Sequence, residues 1–132
     1  MKTSHIFAVL SLFLVSLVNA ECIRPKATSY TKTSCLQEGL SIVSKNNKYG
    51  VIDVNGKEIV PLQYDYIGGF SNSLSPARKG NKRGYINKQG KEVIPFEFDF
   101  VGNFEDGIAK VNKNGKWFYI NRMGEFVKDA AE

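Results

Sequence analysis

The sequence predicts an all-β fold built from tandem repeats of 34 residues. The segment KYGVID (48–53) returns as KRGYIN (82–87) and again as KWFYIN (116–121), each 34 residues after the last. A fixed period of this size is typical of repeat proteins, in which each unit buries its apolar face against its neighbours. Within a unit the local signals are those of strands and turns. We therefore expect an open, solenoid-like or continuous twisted array.

The first two strands of each unit are joined by a two-residue turn. Such turns need positive φ at one or both positions, which Asn and Gly tolerate best. The three turns are Asn46-Asn47, Gly80-Asn81 and Asn114-Gly115. A three-residue loop with Gly at its last position follows the second strand, at Gly56, Gly90 and Gly124.

The third strand of each unit is followed by an aromatic connector. Proline cannot donate to a strand ladder, so this strand is expected to end at Pro61 and Pro95. Each unit is thus a three-stranded antiparallel meander. The connectors 64–70 and 98–104 alternate aromatic residues. They form either a fourth short strand or a plug between meanders.

Pairing the first hairpin across its turn assigns residues to two faces. Val43 lies opposite Gly50, and Ser41 lies opposite Ile52, on a face that is apolar in every unit and is predicted to be the core. Gly50 and Gly84 are expected to allow close approach there. The other face varies between units and is a candidate partner surface; its named residues are Tyr49, Tyr85, Trp117 and Tyr119.

The first twenty residues read as a secretory signal peptide. Lys2 precedes the apolar run 6–18, and Val-Asn-Ala at 18–20 is a small-residue cleavage site between Ala20 and Glu21. The run is too short for a membrane-spanning helix, which needs about 20 residues. We expect a periplasmic or secreted bacterial protein with a segment 21–35, a repeat domain 36–128 of about two and two-thirds units, and a tail 129–132.

Cys22 and Cys35 are the only cysteines, and both precede the repeats. An exported chain meets an oxidising compartment, and two cysteines leave one intramolecular pairing. The preferred interpretation is a disulfide that staples the N-terminal end of the array. A redox pair and an intermolecular bridge stay as alternatives.

Cations cluster at the hairpin tips. The pairing sets Lys79 against Lys82 and Arg78 against Arg83, and like charges directly opposed destabilise a hairpin. The candidate anion-binding residues are Lys45, Lys48, Arg78, Lys79, Lys82, Arg83, Lys113 and Lys116. The alternative interpretation is that charged tips are well solvated and discourage aggregation.

Enzymatic constellations are nearly absent from the mature chain. The only histidine, His5, lies in the leader, which excludes Ser-His-Asp and Cys-His arrangements and histidine-ligated metals in the mature protein. Asp65 and Asp99 occupy equivalent positions, so we expect each to bond a local turn. The segment 53–56 lacks the further acidic ligands of a calcium loop. No catalytic residue, metal or cofactor is predicted.

Taken together, the Gly-Lys-aromatic-Gly-Tyr-Ile-Asp pattern, the Gly-Lys turn, Val-Ile-Pro and the Tyr-Asp connector resemble the WG-repeat family of bacterial proteins. The resemblance covers residues 36–128 and implies a scaffold or binding module without catalytic residues. The chain departs from the family at the Trp-Gly position, which reads Tyr49-Gly50, Arg83-Gly84 and Trp117-Phe118. No role of that tryptophan is therefore carried over.

Two functional hypotheses follow. The first is an exported, non-enzymatic module that docks an envelope protein or an anionic polymer through the basic tips and the variable aromatic face. The second is an accessory subunit or inhibitor whose partner covers the open end of the array, where a terminal sheet edge also permits a homodimer. The formal net charge of +5, lowered by one with the leader, is modest and disfavours nucleic acid.

Overall fold

The structure, a computed structural model, describes residues 21–26 and 29–131. These residues form twelve strands and no helix, arranged as three antiparallel sheets of four strands. The all-β repeat fold is confirmed. The predicted leader and the Ala20 side of its cleavage site lie outside the described residues. Nowhere in the described ranges is there a helix long and apolar enough to cross a membrane.

The three sheets are successive copies of one meander. Sheet 1 contains β1 (Lys32–Thr33), β2 (Leu40–Lys45), β3 (Lys48–Asp53) and β4 (Glu58–Tyr64). Sheet 2 contains β5 (Tyr66–Ile67), β6 (Leu74–Lys79), β7 (Lys82–Asn87) and β8 (Glu92–Phe98). Sheet 3 contains β9 (Phe100–Val101), β10 (Ile108–Lys113), β11 (Lys116–Asn121) and β12 (Phe126–Asp129).

The aromatic connectors supply the short first strand of the next sheet. Tyr66 and Ile67 pair with β6, and Phe100 and Val101 pair with β10. Of the two alternatives for the connectors, the fourth short strand is therefore confirmed, and the plug between meanders is not. β1 lies 34 residues before β5, so the first sheet begins before the boundary at residue 36 that the sequence suggested. The array comprises three sheets, more than the two and two-thirds units expected.

The turns that the sequence marked have the expected backbone. Asn46 and Asn47 both have positive φ, as do Asn114 and Gly115, whereas only the first residue of Gly80-Asn81 does. The first and third turns therefore have the type I′ pattern, and Gly80-Asn81 has the type II′ pattern. Further turns of two positive-φ residues precede each second strand, at Glu38-Gly39, Asn72-Ser73 and Asp106-Gly107.

The third strands do not end at proline, which corrects the sequence-based boundary. β4 continues past Pro61 to Tyr64, and β8 continues past Pro95 to Phe98. In sheet 1, Val51 pairs with Val60 but Tyr49 pairs with Tyr64, so residues 61–63 bulge opposite Gly50. A proline in a bulge removes no regular ladder bond, and the strand resumes beyond it.

The bulge explains the glycines of the first two units. A Cβ on Gly50 would lie 2.5 Å from the Val60 carbonyl oxygen, and one on Gly84 would lie 2.6 Å from that of Ile94. The close approach is therefore as expected. In sheet 3 the last strand lacks proline, Phe118 pairs directly with Asp129, and Phe118 stands where the others need glycine.

The sheets stack face to face, with one apolar cluster in each of the two interfaces. Sheets 1 and 2 contribute Leu40, Val51, Val60, Tyr64, Ile67, Phe70, Ala77 and Ile86. Sheets 2 and 3 contribute Leu74, Tyr85, Ile94, Phe98, Val101, Phe104, Ala109, Val111 and Ile120. The constant face of each sheet thus packs on the variable face of the sheet before it.

This stacking corrects part of the predicted partner surface. Val51 and Tyr85, on the variable face, are 0% exposed. The Tyr85 hydroxyl donates to the Gly102 carbonyl at 2.6 Å, and its ring packs 4.8 Å from that of Phe104. Burial also raises the pKa of Tyr85. Tyr85 is therefore a core residue and is unavailable to a partner.

The N-terminal segment covers the outer face of sheet 1. Cys22 and Cys35 form an intramolecular disulfide with their Cα atoms 5.1 Å apart, as predicted. The backbone amide of Lys26 donates to the Val54 carbonyl, and the Ser41 hydroxyl donates to the Ser34 carbonyl at 2.7 Å. The constant face of this first sheet is consequently buried although no sheet precedes it.

Candidate functional site

The opposed cations at the hairpin tips are present as predicted, but most of them have a carboxylate partner. Lys45 pairs with Lys48, Lys79 with Lys82, and Lys113 with Lys116 across the turns. Five ion pairs offset this repulsion: Lys48–Asp65, Lys79–Glu92, Lys82–Asp99, Lys113–Glu97 and Lys116–Asp129. The row of tip lysines is therefore largely neutralised within the protein.

Asp65 and Asp99 connect the tips of neighbouring units. Asp65 accepts from Lys48 of the first tip at 2.7 Å and from the Gly80 amide of the second at 2.7 Å. Asp99 does the same between Lys82, at 2.8 Å, and the Asn114 amide, at 2.9 Å. The lysine hydrogen bond, followed by the amide, lowers the pKa of each carboxyl. Both aspartates have the structural, turn-bonding contacts that the sequence suggested.

Glu92 links a tip to the core of the stack. It accepts from Lys79 at 2.6 Å and from the Tyr64 hydroxyl of the preceding sheet at 2.8 Å. The Lys79 ammonium also lies 4.8 Å from the centre of the Tyr64 ring. The lysine hydrogen bond lowers the pKa of Glu92, whereas burial raises the pKa of Tyr64. The Lys79 ammonium is thus occupied by contacts that hold sheets 1 and 2 together.

Arg78 and Arg83 differ from the tip lysines because backbone carbonyls hold them. Arg78 Nη1 donates to Gly80 O at 2.9 Å, and Arg83 Nη1 donates to the Asp99 carbonyl. No carboxylate of the described residues lies within 4.0 Å of either guanidinium. A guanidinium carries five N–H donors, so most of these remain for a ligand.

The two arginines line a groove between sheets 2 and 3. The groove has a volume of about 550 Å³, and its walls include the rings of Tyr66 and Phe100 and the side chain of Asn103. Tyr66 pairs with Arg78 across β5 and β6, and Arg78 pairs with Arg83 across β6 and β7, so the three lie on one face of sheet 2. Tyr66 is 46% exposed and Phe100 44%.

An equivalent groove lies between sheets 1 and 2, one repeat earlier. Its volume is about 400 Å³, and it shares Tyr66, Gly68 and Gly69 with the first groove. At the positions of Arg78 and Arg83 it carries Ser44 and Tyr49. The arginine pair is therefore a feature of one groove and not of the repeat.

A sequence model of the family described as WG containing repeat matches residues 49–82 and 84–117, together more than half of the chain. The chain belongs to the WG-repeat family. No curated protein and no solved structure matches it. The family assignment predicted from the recurring motifs is thereby confirmed.

The position that gives WG repeats their name is part of the candidate site. Its tryptophan is replaced by Tyr49 in the first unit and by Arg83 in the second, and is kept as Trp117 in the third. Tyr49 packs on Tyr66 with ring centres 5.4 Å apart, and Trp117 packs on Phe100 at 5.3 Å. In the first two units the residue at this position lines a groove. Tyr49 lines the groove between sheets 1 and 2, and Arg83 lines the groove between sheets 2 and 3.

The outer face of sheet 3 has a polar cover of its own. Lys110 stands where the earlier units have Ile42 and Pro76, and its ammonium lies 5.0 Å from the centre of the Trp117 ring. Lys128 stands where Val60 and Ile94 are buried, 5.3 Å from the ring of Tyr119. A polar outer face is characteristic of a capping repeat.

Lys110 and Lys128 limit the access of a partner to two of the remaining candidates for the partner face, Trp117 and Tyr119. Tyr49, Trp117 and Tyr119 are all half-buried. The cations over Trp117 and Tyr119 occupy ring faces that a partner would contact, as cation–π pairs do. This cap was not predicted from the sequence, because Lys110 and Lys128 are recognisable as cap residues only when they are aligned with the equivalent residues of the earlier units.

The described ranges hold no group of three or more His, Cys, Asp or Glu side chains arranged to bind a metal ion. The carboxylate of Asp53 accepts from the backbone amides of Asn55 and Lys57, at 2.9 and 2.8 Å. It thereby stabilises its own turn, and Asn87 and Asn121 repeat that role in the later units.

Proposed function

We propose that the protein is a non-enzymatic, exported binding module that holds an anionic ligand in the groove between sheets 2 and 3. One observation carries the proposal. Five tip lysines form ion pairs with carboxylates, whereas Arg78 and Arg83 line the groove, donate to backbone carbonyls and have only longer-range attraction to Asp65 and Asp99. The groove thus places two guanidiniums side by side on one face of sheet 2.

The chemistry of the groove suits a carboxylate, sulfate or phosphate group. A planar guanidinium presents paired N–H donors that match the oxygens of such groups, and charge-assisted bonds of this kind are strong. The carbonyls of Gly80 and Asp99 orient the two guanidiniums, so less side-chain freedom is lost on binding. Groove walls also strengthen electrostatic attraction by excluding water.

The disulfide between Cys22 and Cys35 supports the exported part of the proposal, because such bonds persist in oxidising compartments. The leader-like sequence of residues 1–20 points the same way. An exported module of this kind meets anionic polymers of the envelope or the surroundings. Nucleic acid remains disfavoured by the modest net charge.

The alternative is an accessory subunit or inhibitor whose partner covers the open end. The exposed Phe126 and Val127 of β12 favour it, since they leave apolar surface at the edge of sheet 3. Lys110 and Lys128 disfavour it, because they place charge over the rings that a partner would bury. The arginine groove is therefore the better-supported site.

Binding to polygalacturonate and to dextran sulfate tests the proposal, with uncharged dextran as the ligand control. The variant Arg78→Gln/Arg83→Gln removes both guanidiniums, and Lys57→Gln/Lys91→Gln removes the same charge outside the groove. Each lost charge-assisted bond contributes about 1.5–3 kcal/mol, so we expect the arginine variant to lose at least tenfold in affinity.

The lysine control should stay within about threefold of the wild type, since exposed charges contribute little individually. Equal losses in the two variants would show that only net charge matters and would refute the groove. Absence of binding of either polyanion to the wild type would refute the proposal as a whole. Far-ultraviolet circular dichroism establishes that each variant is folded.

A further inference from the structure

We infer that the ligand is a linear anionic polysaccharide that runs through both grooves and crosses Tyr66; this rests on the binding role proposed above. The two grooves are the same structural element one repeat apart, and Tyr66, Gly68 and Gly69 line both of them. A ligand longer than one groove therefore has a continuous path from sheet 1 to sheet 3.

The ridge between the grooves is formed by an aromatic side chain, Tyr66. Tyr66 is 46% exposed, and its ring is supported from one side by Tyr49 at 5.4 Å. Gly68 and Gly69 follow it on the shared wall, and the side chains of Pro76 and Gln37 pack closely beside them. A supported, amphipathic ring with a hydroxyl at its tip suits the mixed apolar and polar face of a sugar.

Cationic groups lie on both sides of this ridge. Arg78 and Arg83 line the groove toward sheet 3, and Lys32 lines the groove toward sheet 1. Lys32 occupies in its own unit the position that Tyr66 occupies in the next. The path therefore runs from a lysine, over a tyrosine, to an arginine pair.

The spacing of these charges distinguishes a polysaccharide from a nucleic acid. Stacked sheets pack about 10 Å apart, so the lysine of sheet 1 and the arginine pair of sheet 2 form two cationic sites separated by roughly that distance. A nucleic-acid strand carries a phosphate about every 3.4 Å and would leave most phosphates unpaired. A polysaccharide with a carboxylate on alternate sugars has a charge spacing closer to that of the sheets.

Oligosaccharides of hyaluronan, in which every second sugar carries a carboxylate, provide the probe. Titration calorimetry compares the disaccharide, which fills the arginine groove alone, with the hexasaccharide, which reaches across Tyr66. We expect the wild type to bind the hexasaccharide at least tenfold more tightly. Lys32→Gln should remove most of this gain while leaving disaccharide binding within threefold.

Tyr66→Ala should likewise reduce hexasaccharide binding more than disaccharide binding, and Tyr66→Phe, which keeps the ring, should not. Arg78→Gln/Arg83→Gln should weaken both oligosaccharides.

Two results would overturn the extended path but leave the proposed function standing. One is arginine-dependent binding that does not increase with oligosaccharide length, and the other is a hexasaccharide affinity that Lys32→Gln leaves unchanged. Absence of arginine-dependent binding to any oligosaccharide would overturn both. Tighter binding of a thymidine oligonucleotide than of the hexasaccharide would overturn the choice of a polysaccharide.

Discussion

The substitution Gly50→Ala tests whether the proline bulge leaves no room for a side chain. The added Cβ would lie 2.5 Å from the Val60 carbonyl oxygen and 3.1 Å from the carbonyl carbon and oxygen of Pro61. All three atoms belong to the backbone of β4, which is hydrogen-bonded to β3 and cannot move independently of it. Relief therefore requires that the two strands separate at the bulge.

The expected size of the effect follows from two opposing contributions. Overpacking a close-packed site typically costs about 1–3 kcal/mol, and a contact with backbone falls at the upper end. Replacing glycine by alanine also restricts the unfolded chain, which raises the free energy of unfolding by about 0.4–1 kcal/mol. We expect a net loss of about 2 kcal/mol in the free energy of unfolding, or roughly 8 °C in the melting temperature.

Urea and thermal unfolding, followed by circular dichroism, measure this loss. Gly69→Ala is the matched control, because its Cβ would meet only the amide end of the Gln37 side chain, at 2.9 Å, and no backbone atom. Displacing Gln37 loses at most its hydrogen bond from the Phe70 amide, so we expect the control to stay within about 1 kcal/mol of the wild type. If Gly50→Ala were as stable as Gly69→Ala, the argument that the bulge requires glycine would be refuted.

Three further predictions concern the staple, the aspartate clasps and the terminal sheet. Replacing Cys22 and Cys35 by Ser should lower the free energy of unfolding in urea by about 3 kcal/mol, and an unchanged value would contradict the staple. Asp65→Asn should lower the melting temperature at pH 7. Because the folded pKa of Asp65 is lowered, its stabilisation is present above the carboxyl's ordinary pKa and is lost as the pH falls through the folded one. The difference from the wild type should therefore vanish in acid, and a pH-independent difference would exclude this role. Lys110→Ile/Lys128→Ile should cause concentration-dependent association in sedimentation velocity, because it restores the apolar character of an inner face; a folded variant that stays monomeric would argue against the cap.

Which residues share a face was predictable, but which faces are buried was not. The register of Val43 with Gly50 and of Ser41 with Ile52 is as expected. The pairing within one hairpin, however, does not show which of its faces the next sheet covers. The adjacent apolar pair Val51 and Ile52 was the overlooked signal, since consecutive apolar residues are typical of strands buried on both faces.

The bulge illustrates two sequence signals that belong to one feature. Pro61 predicted a strand end and Gly50 predicted a close approach, and each was interpreted alone. In the structure the proline-containing bulge of β4 lies against the glycine of β3. The third unit makes the link visible, because it lacks the proline and has Phe118 in place of the glycine. Comparison of the units, rather than of single residues, indicates the bulge.

The charged residues of the tips are of two kinds: those whose ion pairs recur from unit to unit, and those that occur in one unit only. Lys48 and Lys82 each pair with an aspartate 17 residues later, a spacing that recurs because a connector returns to the tip after each of the first two units. Pairs that recur in this way stabilise the stack and leave little charge for a ligand. Arg78 and Arg83 have no such recurrence, since the equivalent positions hold other residue types. The repeat therefore does not explain why arginine stands at these two positions, and their place in one groove makes a ligand the explanation that we favour.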